Sequence, residues 1–154
     1  MSLGKISIAR NKFIINLFGF EPLQRRLLAA AARRTLADRK LCSRAVINFI
    51  LIPDLEIKKL NGRYRKVRRI TDVISFLIDH RIERSDCSVS GDIYIAEGRS
   101  KKQARACGHS WERELEYLVI HGVLHLMGYT DYTPREKTKM FAIQDKLWGS
   151  FPIA

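Results

Sequence analysis

Residues 121–131 read HGVLHLMGYTD, with imidazoles at His121 and His125 and a carboxylate at Asp131. Side chains four apart on a helix project from one face, and a ring nitrogen left unpaired in apolar surroundings costs about 1–3 kcal/mol. A shared cation would satisfy one nitrogen of each ring. Continued as straight helix, position 131 would lie about 9 Å along the axis from His125, at about 1.5 Å per residue, so the chain must turn back for the carboxylate to join the pair. Gly128 is the residue type that ends a helix in the left-handed conformation without a Cβ penalty. His121, His125 and Asp131 are therefore candidate ligands of one divalent ion, zinc first, because three protein ligands with a fourth place left for water are the pattern of a catalytic zinc site. The competing reading is an apolar helix with two hydrogen-bonded core histidines, which the i, i+4 pair alone would favour. The glycine stop and the spaced carboxylate move the balance toward a metal.

The elements that must position these groups can be read on either side. From Tyr117 to Tyr129 every residue other than the two histidines is apolar, aromatic or glycine, so the helix that carries them is buried on most sides. Ser110 is placed to cap it, with Glu112 and Glu114 in its first turn, and Gly128 to stop it. Pro134 opens a last helix through Met140, Ile143 and Trp148. Upstream, KISIA alternates as a first strand, EPLQRRLLAAAARRTLADR reads as a helix, and RAVINFILI (44–52) as a buried strand. Pro53 and Asp54 open a short amphipathic helix that ends near Asn61-Gly62. TDVISFLI (71–78) and SGDIYIA (90–96) are two further strands, separated by a polar loop holding Asp86 and Ser88, and a helix from Glu97 to Cys107 breaks at Gly108. His109 belongs to that break, and His80 to an exposed loop. The expected architecture is α/β (α+β): one domain over residues 1–154, a small mixed sheet of about four strands with helices, and the metal site on a central buried helix.

Composition limits the function classes. The 154 residues are enough for a core without staples. Lys+Arg is 28 against Asp+Glu 16, a formal +12, which favours an anionic partner. Cys42, Cys87 and Cys107 form no CxxC and cannot all pair, so a disulfide framework is not expected and a reducing cytoplasm fits. The N-terminal stretch has no signal-peptide cleavage pattern, and no uncharged apolar run reaches the roughly 20 residues of a spanning helix, so no membrane is expected. Lys58, Lys59, Arg63, Arg65, Lys66, Arg68 and Arg69 crowd into twelve positions. Such blocks are usually solvated faces, yet in a chain of this charge they can form a phosphate track, with Lys66, Arg68 and Arg69 as substrate-binding candidates. Tyr64 within the run could stack a base, although local packing is the simpler account.

HGVLHLMGYTD resembles the signature HGxLHLxGYDH of the YbeY endoribonucleases, matching at His121, Gly122, Leu124, His125, Leu126, Gly128 and Tyr129. LNGRYRKVRRITDVISF, GDIYIA and GHSWEREL resemble further segments of that family in the same order, so the likeness spans about residues 55–131. Two positions depart from the pattern: Asp131 stands where the family has its third histidine, with Thr130 before it, and Leu77 stands where a proline commonly follows the SF pair. The resemblance implies metal-dependent cleavage of single-stranded RNA, in maturation of ribosomal RNA (16S rRNA 3′-end processing) and ribosome quality control, with the ribosome or its proteins as partners. It also implies a catalytic role for Arg65, the arginine of the family's YR pair, as a charge stabiliser on the scissile phosphate, and places Ser75 beside the substrate; the plainer readings are a solvated cation and, for Thr71, Asp72 and Ser75, ordering of strand and loop. An aspartate ligand is harder and more anionic than histidine, which should make the ion's water less acidic and widen the range of metals.

Two rivals follow from the same residues. A zinc peptidase shares the His-x-x-x-His-x-x-Gly-x-x-Asp spacing, but its general base is a glutamate directly after the first histidine, and here that residue is Gly122. A basic RNA-binding or ribosome-associated protein with a structural metal would bind RNA without cutting it. Gly122 itself costs about 1 kcal/mol inside a helix, which points to a close backbone approach or a need for space at the site. Oligomeric state is left open.

Overall fold

The computed structural model describes residues 8–10, 13–39, 43–83 and 86–149. Ten elements follow in chain order: β1 (Ile8–Arg10), β2 (Phe13–Phe18), α1 (Pro22–Arg39), β3 (Arg44–Ile52), α2 (Asp54–Tyr64), β4 (Val73–Glu83), β5 (Asp86–Ala96), α3 (Glu97–Cys107), α4 (Trp111–Leu126) and α5 (Pro134–Gly149). The strands form one mixed sheet in the order β1-β2-β3-β5-β4. β2–β3 and β3–β5 pair in parallel, while β1–β2 and β4–β5 are antiparallel. An α/β fold with a mixed sheet is thus observed, with five strands where about four were expected. The addition is β2, FIINLF, an apolar run that the sequence reading did not separate from the N-terminal stretch. Of the expected first strand KISIA, residues 5–7 fall outside the described residues and Ile8–Ala9 lie in β1.

Alternation explains the layers. In β3, Ala45, Ile47 and Phe49 are buried on one face, where they join Ile15 and Leu17 of β2 and Val89, Ile93 and Ile95 of β5. α1 and α4 cover that face through Leu28, Leu36, Leu118 and Val123, and α5, packed against both helices, adds Met140 and Leu147 to the same core. α2 lies over the other face, with Ile57 against Ile74 and Ala96. β4 ends the strand order, so the sheet has its edge there.

Two glycines, Gly122 on α4 and Gly91 on β5, let α4 rest against the sheet, each opposite side chains of the facing layer. A Cβ at Gly122 would stand 2.9 Å from Ile93 Cδ1 and 3.2 Å from Ser75 Oγ, and one at Gly91 would stand 2.7 Å from Leu126 Cδ2. The close approach expected of Gly122 is therefore present. Ser110 caps α4 by accepting from the Arg113 N–H at 3.2 Å, and Gly108 adopts φ 75° at the end of α3.

Three local expectations are corrected. α2 continues past Asn61-Gly62 to Tyr64, because Asn61 is buried and its carbonyl accepts from Arg65 and Val67. Asp86 and Ser88 belong to β5 rather than to a loop, because the antiparallel β4–β5 pairing continues beyond the apolar stretches to Glu83↔Asp86. His80 likewise lies in β4, opposite Val89. Cys42 is outside the described residues; Cys107 is free and exposed. Among the described residues no helix is long and apolar enough to cross a membrane.

Candidate metal centre

The turn after α4 brings the three spaced residues together. Gly128 takes φ 99°, its N–H bonds the His125 carbonyl at 3.0 Å, and the Tyr129 N–H bonds that of Leu124 at 3.0 Å, which reverses the chain. Thr130 Oγ1 donates to Glu136, and the Glu136 N–H to Thr133 Oγ1 at 3.2 Å, so the returning loop is tied to the first turn of α5. Asp131 then lies with Oδ2 3.8 Å from His121 Nε2 and Oδ1 3.7 Å from His125 Nε2. The two Nε2 atoms are 3.0 Å apart, and one ligand atom from each of the three residues lies within 4.8 Å of the others.

The outer nitrogens determine what the inner ones are. His125 Nδ1 donates to the Tyr129 carbonyl at 3.0 Å, and His121 Nδ1 donates to Gln144 Oε1 at 3.0 Å. With both Nδ1 atoms carrying the proton, both Nε2 atoms present lone pairs to each other and to a carboxylate. Such a donor set is mutually repulsive unless a cation stands between, and the residues therefore fit a divalent ion. Tetrahedral ligands about 2.0–2.1 Å from zinc stand about 3.3–3.4 Å apart, a spacing bracketed by the 3.0, 3.7 and 3.8 Å found here. Burial pushes the His125 imidazole below its ordinary pKa, with His121 next acting in the same direction and Arg65 more weakly, against Asp131 and the bond to Tyr129. The neutral form, which is the ligating form, is favoured.

Gln144 escaped the sequence reading. It is fully buried on the apolar stripe of α5 between Met140 and Leu147, and its Nε2 donates to the Tyr117 carbonyl at 3.4 Å. A lone amide on an otherwise apolar stripe was the available signal.

The three residues line a cavity of about 310 Å³ together with Arg65, Thr71, Asp72, Ser75, Leu77, Tyr129 and Tyr132, among others. Ser75 Oγ donates to the Gly122 carbonyl at 3.4 Å, so this hydroxyl both lines the cavity and joins β4 to α4. A second cavity of about 770 Å³ shares Arg65, Thr71 and Asp72 with the first and contains Lys58, Arg68, Arg69 and Arg99. Lys66, in the left-handed conformation at φ 56°, lines neither. The loop carrying Arg65 to Arg69 is organised by Asn61, whose Nδ2 donates to the Arg69 carbonyl at 3.0 Å, another contribution that sequence reading missed because it took this residue for a helix stop. Tyr64 packs edge-on to Phe76 at 5.3 Å, as local packing required. The Asp72 carbonyl accepts from the Ala96 N–H at 2.9 Å and so holds the start of β4 to the end of β5. His109 is engaged elsewhere, with Nε2 2.6 Å from Glu114 Oε2.

The profile of the family described as Endoribonuclease YbeY matches residues 5–151. An endoribonuclease YbeY of Endomicrobium trichonymphae is 49% identical over 135 residues, covering 88% of this chain and 91% of that protein. Another, from Macrococcus caseolyticus, is 36% identical over 83% of each chain. The solution structure of a Thermotoga maritima protein superposes with a TM-score of 0.59 at 29% identity, covering 88% of this chain and 86% of that one. With a match of that extent and a reversed helix end carrying two imidazoles and a carboxylate beside a basic cavity, the chain belongs to the YbeY endoribonuclease family.

Proposed function

We propose that this protein is a metal-dependent endoribonuclease that cuts single-stranded RNA at the centre formed by His121, His125 and Asp131, acting in the cytoplasm on ribosomal RNA in association with the ribosome. The observation that carries the reading is the pair of Nε2 atoms 3.0 Å apart facing a carboxylate, with each ring's Nδ1 already hydrogen-bonded to an oxygen, next to a cavity lined by Lys58, Arg65, Arg68, Arg69 and Arg99. A divalent ion held there, zinc first, supplies Lewis-acid polarisation of a phosphate oxygen and acidifies a water. The rest is done by the chain. Arg65 reaches into both cavities and is close enough to depress the His125 pKa; its fixed charge stabilises the phosphate as negative charge builds up. Arg68 and Arg69 hold neighbouring phosphates, and Lys66 adds charge from outside the cavities. Ser75 orders the wall between β4 and α4 and offers a hydroxyl to the substrate. Asp131 Oδ1 and Oδ2 each face one histidine, and the hard carboxylate oxygen extends the range of acceptable ions beyond zinc.

A labelled single-stranded RNA incubated with metal-loaded protein should be cut, and chelation or His121→Ala should abolish cutting while RNA binding persists, since the basic cavity contains no metal ligand. Binding without cutting by the metal-loaded wild type would support the rival reading of an RNA-binding protein with a structural metal.

A further inference from the structure

Tyr132 directly follows a candidate ligand and is 83% exposed, and Leu77, on the edge strand β4, is 52% exposed. Both line the cavity that holds His121, His125, Asp131 and Arg65, Tyr132 from the loop side and Leu77 from the strand side. Leaving two large apolar surfaces in water at the rim of a strongly charged cleft gains nothing for folding. Tyr64 offers a contrast: also exposed, its ring is already engaged by Phe76 at 5.3 Å and by the Arg63 guanidinium at 5.6 Å. Among the described residues no ring or cation is stacked on Tyr132.

We propose that Tyr132 and Leu77 form a base-gripping subsite, in which the base of the nucleotide whose phosphate enters the cleft stacks on the tyrosine ring and rests against the leucine. The inference builds on the nuclease reading and names the feature of the substrate that this site selects. A base inside a duplex has both faces covered by its neighbours, so only an unpaired, unstacked base can enter. Arg65 and the cations of the adjoining cavity hold the backbone; they are indifferent to base pairing, because phosphates are present in both forms. Discrimination for single strands then resides in Tyr132 and Leu77 rather than in the basic run. Stacking on an aromatic ring accepts every base, so the subsite imposes no sequence.

The test uses the metal-loaded full chain and a single-stranded RNA of about ten nucleotides, with the fluorescent base aminopurine placed at each position in turn. The wild type and Tyr132→Phe should quench the probe at one position. Tyr132→Ala should restore its emission and weaken binding about tenfold, and replacing the quenched base by an abasic nucleotide should make the wild type and Tyr132→Ala bind alike. Duplex RNA should not distinguish the three proteins. Equal affinity and an unchanged emission profile in Tyr132→Ala would overturn the subsite. Because quenching needs no cleavage, that result would leave the nuclease reading intact, whereas a wild type that quenches the probe but cuts no RNA would retain the subsite and lose the nuclease.

Discussion

His121 donates from Nδ1 to Gln144 Oε1 at 3.0 Å, and that bond leaves the lone pair on Nε2, the nitrogen turned toward His125 and Asp131. Gln144 is fully buried, so the acceptor is not interchangeable with water. Replacing it by leucine keeps much of the volume but leaves Nδ1–H without an acceptor, freeing the ring to change tautomer or turn. Outer partners of metal-bound histidines are typically worth about 10–100-fold in affinity, and Gln144→Leu should weaken zinc binding by that order in a calorimetric titration while the far-ultraviolet circular dichroism stays unchanged. An unaltered affinity would show that the ring is held by α4 alone. The candidate ligands were legible as a cluster because helical spacing and a glycine stop are local: His121, His125 and Asp131 lie within one stretch of chain. Gln144 comes from another helix, 23 residues on, and no local rule connects it to His121.

At the scale of elements, the centre depends on how closely α4 approaches β4 and β5. The positions of α3, α4 and α5 were readable because Ser110, Gly108, Gly128 and Pro134 mark their ends by local backbone preference. The sheet was harder: β2 is fixed by parallel pairing with β3, distant in sequence, and the outer halves of β4 and β5 form a hairpin in which residues such as Asp86 and Ser88 lack the apolar alternation that marks a strand. Gly122 is where the two levels meet. Gly122→Ala should gain about 1 kcal/mol of helix propensity and lose more, because its Cβ would meet Ile93 Cδ1 at 2.9 Å and Ser75 Oγ at 3.2 Å. Overpacking of this kind costs about 1–3 kcal/mol. Denaturant titration should show a net destabilisation of up to about 2 kcal/mol once the propensity gain is subtracted, accompanied by weaker metal binding as α4 lifts from the Ser75 side; a stabilised variant would mean that Ile93 simply changes rotamer.

For the molecule as a whole, the formal +12 becomes useful only where the fold concentrates it. The run from Lys58 to Arg69 was visible in the sequence, but Arg99 was not, since it lies thirty residues beyond and reaches the cavity only because Asp54 Oδ1 accepts the Arg99 N–H at 2.9 Å and thereby holds the start of α3 against the start of α2. Lys66, from the same run, lines neither cavity. These two facts make a quantitative expectation. Each cation that neutralises a phosphate of single-stranded RNA contributes about −0.7 to the slope of log K against log salt. Lys58, Arg65, Arg68, Arg69 and Arg99 acting together would give about −3.5. Arg68→Ala with Arg99→Ala should reduce the slope by about 1.4, while Lys66→Ala should change it by much less than one contact's worth. Affinities measured for a non-cleaved RNA between low and moderate salt decide the matter: if removing Lys66 flattens the line as much as removing Arg99 does, RNA follows the exposed loop rather than the cavity beside the metal centre.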